Sequence, residues 1–289
     1  MCIRDSPSAG NEIVSSRHFK PEDQGDFLLC NVIGERSILQ HKMADDASGF
    51  KGTEKPRLVF CKDGNFRPID IQFAPDGTLY ICDWHNALIG HLQHNLREPN
   101  RDHQHGRIWR VICKDRPLVK APVIADAPVA DVCQSLTEYE DRARYRARRE
   151  LAQRPSEEVV PAVKAWAKAL DKSDDNYAHH VLEANWVLQS HNQVDQDLLT
   201  IILKADDANC RTAATRVVCD MKHKLPNALE LIHARIEDKH GRVRLEAVRA
   251  CSFFSADEGI EVVLDVLNHD MDDYIQFTLD ETMRHLESL

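Results

Sequence analysis

The stretch Arg67 to Ile112, RPIDIQFAPDGTLYICDWHNALIGHLQHNLREPNRDHQHGRIWRVI, decides the fold class of the first part of the chain. It opens with an alternating apolar pattern (Ile69, Ile71, Phe73), a Pro-Asp-Gly turn and a second strand-like run, which together predict a β-hairpin. The run RIWRVI closes the stretch as a further strand. Between these strands lies one third of the chain's 15 histidines: His85, His91, His94, His103 and His105.

Upstream of this stretch the pattern is also that of β-structure. From Gly25 the runs DFLLCNVIG, RSILQHKMADD and RLVFCKDG are rich in Leu, Val, Ile and Phe and are separated by turn residues. Two strand groups recur at an interval of about forty residues or more, the period of four-stranded propeller blades. We therefore expect a partial β-propeller of about two blades.

Downstream the pattern changes twice. The segment RPLVKAPVIADAPVADV has three prolines and no helical period, which predicts an extended linker. From Ser135 to the end the apolar residues follow the helical period, and nine helices with short breaks are predicted. Closely spaced helices of this kind pack as antiparallel neighbours.

The helical part also shows an internal repeat. Aligning LEANWVL, RTAATRVV and RLEAVRAC places small residues at Ala184, Ala214 and Ala247, about 30 residues apart. A small residue in mid-helix lets neighbouring helices approach closely, and one helix pair per such interval is typical of an α-solenoid. The sequence thus predicts four to five HEAT-like helix pairs.

Composition excludes several classes of function. The 289 residues carry a formal net charge of −10, which argues against nucleic acid as the main partner. No run approaches the roughly 18 apolar residues of a membrane span. The nine cysteines show neither Cys-x-x-Cys nor zinc-like pairing and are interpreted as structural thiols.

These patterns divide the chain into four segments. Residues 1–10 contain MCIRDS, which resembles a translated sequencing-adapter leader, and we expect them to be artefactual or disordered. Residues 11–115 are predicted to form the propeller blades, 116–134 the linker and 135–289 the HEAT-like solenoid. We expect the chain to be a fragment, so its lack of a signal peptide is uninformative about export.

The candidate site is the loop that follows the hairpin. Asp83 and its neighbours follow a strand end, where propeller loops converge and ligands commonly bind. In a catalytic interpretation His85 or His91 accepts the hydroxyl proton of a sugar or alcohol, and Asp83 orients the imidazole. The candidate substrate or cofactor contacts are Asn86, Arg101, Asp102, His103, His105 and Arg107.

Two other interpretations of the loop stay open. Four imidazoles, of His85, His91, His103 and His105, together with the Asp102 carboxylate would suit a divalent cation. Alternatively the same residues are structural, and this is the interpretation we favour: Asp83 and Asn86 cap the turn, and a charge pair of the Asp102-x-His-x-Gly segment with Arg107 ties the loop to the last strand.

The motifs NFRPIDI, APDGTLYICDWHN and NRDHQHGRIWRV, followed by helical repeats, resemble the planctomycete-type membrane-bound dehydrogenase family. Proteins of that family are similar to sorbosone and glucose dehydrogenases in their propeller, and they continue into HEAT-like repeats and a c-type haem domain. The resemblance implies a periplasmic location, a PQQ-like quinone and a c-type haem. The chain has no Cys-x-x-Cys-His and only about two predicted blades, so we expect it to be inactive by itself.

Two functions are therefore carried forward. In the first, the chain is part of an exported dehydrogenase-like protein that oxidises a carbohydrate or alcohol and passes electrons to a haem domain. In the second, the propeller and solenoid form a non-catalytic scaffold that binds polysaccharide or a protein partner on the solenoid.

Overall fold

The computed structural model describes residues 8–87, 98–99 and 101–289. Within these residues the strands come first and the α-helices follow, as predicted. The chain divides into two compact units. The sheet unit contains the residues up to Ala44, Lys51–Pro122 and Glu138–Arg144, and the helical unit contains Asp45–Phe50, Val123–Thr137 and Tyr145–Leu289.

The first sheet has four strands in the order β1-β2-β3-β4: β1 (Ser8–Ile13), β2 (Phe27–Asn31), β3 (Ser37–Asp46) and β4 (Gly49–Phe60). Antiparallel pairing sets Cys30 opposite Ile38, and both side chains are fully buried. A short 3-10 turn, Pro21–Asp23, lies between β1 and β2. Residues 1–10 were expected to be artefactual or disordered; because β1 begins at Ser8, residues 8–10 are not disordered.

The second sheet has three strands in the order β5-β6-β7: β5 (Pro68–Phe73), β6 (Leu79–Asp83) and β7 (Arg107–Val111). The predicted hairpin is confirmed: Phe73 pairs with Leu79 across the Pro-Asp-Gly turn. Strand β6 alternates buried and exposed residues, as expected for a sheet with one covered face. Of the strands that the structure describes, β7 lies at the edge of this sheet, and its Ile108 side chain is 72% exposed.

The core of the sheet unit lies between these strands. It is an apolar cluster built mainly from alternate strand positions: Val14, Phe19, Leu28, Cys30, Ile38, Phe66, Ile71, Phe73, Leu79 and Ile81. The prediction of two four-stranded blades is met only in part, since the second sheet has three described strands and both sheets are open. What the structure shows is two small antiparallel sheets followed by helices.

Ten α-helices follow. The first, α1 (Val129–Gln134), lies inside the segment predicted to be an extended linker, so that prediction is wrong for these residues. Its Val129, Val132 and Cys133 are buried, at the spacing of one helical face. The others are α2 (Asp141–Gln153), α3 (Ser156–Ala169), α4 (Tyr177–Ser190), α5 (Gln196–Leu203), α6 (Ala208–Asp220), α7 (Ala228–Ile236), α8 (Gly241–Cys251), α9 (Ala256–Val263) and α10 (Asp273–Leu286).

The helices of the helical unit stack as repeated pairs. Helices α4, α6, α8 and α10 lie next to one another in that order, and α5, α7 and α9 pack beside them. The small residues Ala184, Ala214 and Ala247 are fully buried, which confirms their predicted place where adjacent helices meet. Among the helices that the structure describes, none combines the length and the apolarity that a membrane crossing requires.

Candidate functional sites

The carboxylate of Asp83, at the end of β6, organises the loop that the sequence singled out. Its Oδ1 accepts hydrogen bonds from the backbone N–H groups of Arg67 (2.8 Å) and His85 (2.9 Å). Its Oδ2 accepts from Arg107 Nε (2.7 Å) and Trp109 Nε1 (2.9 Å). Four donors therefore surround a side chain that is 0% exposed. The contacts of Arg67 and Trp109 were missed from the sequence, because nothing in a local pattern links residues so far apart.

The electrostatics of Asp83 fit a structural role. Burial by itself would raise the pKa of this carboxyl, but the hydrogen bonds from Arg67, Trp109, His85 and Arg107 outweigh burial and the pKa is lowered. A carboxylate held ionised by four donors ties the strand ends together. Asp83 was predicted to orient the imidazole of His85 or His91: it accepts a hydrogen bond from the His85 backbone, and His91 lies outside the described residues.

The ring of His85 instead faces Asp102, with 3.4 Å between Nε2 and Oδ2. Asp102 also accepts hydrogen bonds from the backbone N–H groups of Gln104 (2.9 Å) and His105 (3.0 Å), and its Oδ2 lies 2.9 Å from His105 Nδ1. The hydrogen bond from Gln104 contributes most to lowering the pKa of Asp102, followed by those from His105. This second cluster connects the returning part of the loop to the turn after β6.

The two clusters leave an open cleft of about 400 Å³ beside them. Asn86 and Arg101 are buried in its wall, whereas Trp84 is 44% exposed. The cleft thus brings together five of the predicted contact residues and two others: Asn86, Arg101, Asp102, His103, His105, Trp84 and Gln104. Asp83 and Arg107 are not among its lining residues. The candidate base His91 lies outside the described residues, as does His94.

A second candidate site lies on the repeated helices. We define the Arg–aromatic face as Arg148, Trp186, Arg216, Arg249 and Phe253. Trp186, Arg216 and Arg249 each follow the buried repeat alanine of their helix by two residues, so they occupy equivalent positions on α4, α6 and α8. Since these helices are neighbours, equivalent positions come side by side.

Buried glutamates hold the arginines of this face in place. Glu183 on α4 is 0% exposed and pairs with Arg148, whose guanidinium lies 5.3 Å from the centre of the Trp186 ring. Burial would raise the pKa of Glu183, but His179 and Arg148 outweigh burial and the pKa is lowered. An ionised, buried carboxylate therefore fixes a guanidinium over an aromatic ring.

The same arrangement recurs two repeats later. Glu246 on α8, also buried, accepts two hydrogen bonds from Arg216 (3.0 and 2.7 Å) and one from Arg249 (2.9 Å). The Arg249 guanidinium lies 5.0 Å from the centre of the Phe253 ring. Arg216 itself is 60% exposed at its side chain. The sequence does contain a signal for these Glu–Arg contacts. Glu183 and Glu246 each precede the repeat alanine of their helix by one residue, so they occupy equivalent positions.

Comparison with known protein families finds matches to two separate parts of the chain. Residues 5–115 match the family described as "Domain of unknown function (DUF7133)", and residues 196–283 match the family described as "HEAT repeats". No curated protein and no solved structure matches the chain. The chain thus joins a DUF7133-type N-terminal domain to a helical region of HEAT-like repeats.

Proposed function

We propose that this protein is a binding scaffold whose HEAT-like repeats present the Arg–aromatic face to a protein partner. The observation that carries this proposal is the row of Trp186, Arg216 and Arg249 at equivalent positions of adjacent helices. HEAT-like repeats stack helix pairs into an extended surface, and such surfaces serve protein binding.

The residue types of the face support binding. Tryptophan and arginine are enriched among the residues that contribute most to protein interfaces. Here Glu183 and Glu246 position the guanidinium groups beforehand. Little side-chain freedom is then lost on association, which favours affinity.

The charge of the face indicates the chemistry of the partner. Three guanidinium groups, those of Arg148, Arg216 and Arg249, lie beside the carboxylates of Glu183 and Glu246, and Asp220 is a third acidic group that acts on Arg216, so the face is close to neutral. The chain as a whole has a net charge of −10. A partner segment that carries carboxylates would therefore be repelled less by this face, with its exposed Arg216, than by most of the remaining surface.

The test is a direct binding measurement. Partners captured by the full chain from an extract of its source cells would be purified, and their affinity measured by calorimetry. We expect Arg216→Glu and Arg249→Glu each to weaken binding by about tenfold or more, because each places a negative charge in the face. Lys168→Glu on α3, which makes the same charge change at an exposed site outside the face, is the matched control. Equal affinity in all three variants would refute the proposal.

The cleft beside β7 supports a second candidate function, the binding of a carbohydrate. Sugars stack on exposed aromatic rings and hydrogen-bond to surrounding polar groups, and the cleft offers Trp84 beside Asn86, Arg101 and His103. A panel of soluble polysaccharides assayed by affinity electrophoresis tests this function. If at least one polysaccharide retards the wild type and this retardation is lost in Trp84→Ala, the result supports carbohydrate binding. If no polysaccharide retards the wild type, the result counts against carbohydrate binding.

Oxidation of such a ligand stays a prediction of the resemblance, as does a periplasmic location. Two of the candidate residues are committed to the sheet unit: Arg107 is engaged by Asp63 (2.6 Å) and Asp83 (2.7 Å), and the Asp83 carboxylate already accepts four hydrogen bonds. We therefore derive no redox step. A dye-linked assay with sugars and alcohols, with PQQ added, would reveal an activity if one exists.

A further inference from the structure

Two His–carboxylate pairs occupy the same place in consecutive repeats. His233 and Glu237 lie four residues apart, at the end of α7. Asp265 and His269 lie four residues apart in and just after the 3-10 segment Leu264–Asn268 that follows α9. Each residue of the second pair comes 32 residues after its counterpart in the first.

The two pairs face each other across the gap between the repeats. His233 Nε2 is 2.7 Å from Asp265 Oδ2, and His269 Nε2 is 3.1 Å from Glu237 Oε2. In the first pair the histidine precedes the carboxylate, and in the second pair the carboxylate precedes the histidine. Each imidazole therefore lies opposite a carboxylate of the other pair. One donor atom each from His233, Glu237 and Asp265 lies within 4.8 Å of the other two.

We propose that these residues bind one divalent transition-metal ion, with His233, Glu237 and Asp265 as ligands and His269 orienting Glu237. Zinc–ligand bonds of about 2.0–2.2 Å in a tetrahedron place the donor atoms about 3.4 Å apart. Metal binding would bring the three donors, now within 4.8 Å of one another, to that distance, with His233 Nε2 and Asp265 Oδ2 moving apart from 2.7 Å. A water molecule completes four-coordination.

The donor set selects the class of metal. Calcium and magnesium prefer oxygen ligands alone, whereas an imidazole with carboxylates suits zinc and its neighbours in the first transition row. His269 has the position of an outer-shell partner, because it hydrogen-bonds the ligating carboxylate. An ion bound there would connect α7 to the segment after α9 and would stiffen the stack of repeats.

The test is titration of the full chain with zinc chloride in a reducing, non-chelating buffer, followed by calorimetry. We expect one site of the wild type to be absent in His233→Ala and in Asp265→Asn. His269→Ala should weaken that site by about 10–100-fold, the usual effect of losing an outer-shell partner. The control is His223→Ala, which removes another exposed histidine, one that contacts Asn192 and lies outside the cluster.

A thermal melt provides the second readout. A ligand that binds only the native state raises the melting temperature, so zinc should raise it more in the wild type and in His223→Ala than in His233→Ala. Zinc taken up by thiols elsewhere is common to all variants and cancels in the comparison. Equal stoichiometry and affinity in His233→Ala, Asp265→Asn and the wild type, or no zinc binding by the wild type, would overturn the proposal.

Discussion

At the scale of single residues, the candidate catalytic group Asp83 is held in the sheet unit by four hydrogen bonds. The sequence located it correctly at a strand end beside a histidine-rich loop. It could not show that Arg67, Arg107 and Trp109 converge on the carboxylate, because these residues become neighbours only when β5, β6 and β7 pair. The interpretation that Asp83 caps the turn after β6 agrees with its hydrogen bond to the backbone of His85.

Asp83→Asn should destabilise the sheet unit by about 2–3 kcal/mol at pH 7, because the amide nitrogen of asparagine cannot accept the hydrogen bonds that one carboxylate oxygen of Asp83 accepts from its donors. Urea denaturation of the full chain measures the free energy of unfolding. Asp175→Asn, at an exposed carboxylate assigned to the helical unit, is the control and should change it little.

The stability difference between the wild type and Asp83→Asn should also depend on pH. The folded pKa of Asp83 is lowered, so its stabilising contribution is complete above the unfolded pKa of about 3.9 and is lost as the pH falls through the folded value. The difference in unfolding free energy between the wild type and Asp83→Asn should therefore be largest near neutrality and shrink below about pH 4. A difference that stayed constant down to pH 2 would show that the charge of Asp83 does not contribute.

At the scale of secondary-structure elements, the local sequence pattern predicted the strands and helices whose apolar residues are regularly spaced. The hairpin around Gly77 and the long helices α4, α6 and α8 follow directly from apolar spacing and turn residues. Strand β1 was missed because SAGNEI is short and mostly polar, and its pairing depends on β2. Helix α1 was missed because its six residues follow a proline-rich run and span too few turns to show a period.

The turn at Gly77 provides a test at this scale. Gly77 has φ +84°, and an added Cβ would come within 2.7 Å of both Ser16 Oγ and Val119 Cγ2. Gly25 has φ +78° but no atom within 4 Å of such a Cβ. Both alanine variants incur the backbone cost of about 1–2 kcal/mol, whereas only Gly77→Ala adds a steric clash. Urea denaturation should therefore rank Gly77→Ala as the less stable of the two, and equal stabilities would contradict the close packing of this turn.

At the scale of the whole molecule, the change from strands to paired helices was predictable because the apolar period changes once and does not return. The arrangement of sheets was less predictable, since closure of a propeller depends on strands far apart in the chain rather than on local spacing. The eight described cysteines are free thiols, and five of them are buried. These five buried cysteines behave as small core residues, in agreement with their interpretation from the sequence.

The reactivity of the thiols tests whether these cysteines are buried in the native chain. Burial raises the pKa of Cys30, Cys210 and Cys251 to about 12 and that of Cys133 to about 11. These four thiols should react slowly with Ellman's reagent at pH 8, whereas the exposed Cys82 should react at once. Unfolding in guanidinium chloride should make all of them reactive. Fast labelling of Cys251 in the native chain, detected by mass spectrometry, would contradict the described packing.

The exposed strand β7 has a consequence for how the protein behaves in storage. Among the described strands only β6 pairs with it, so within the described part of the chain its other side has no strand partner, and Ile108 on it is 72% exposed. An edge of this kind is a template for intermolecular strand addition. Concentrated solutions should turn turbid over days, and Ile108→Lys, which places a charge on that edge, should keep them clear at the same concentration.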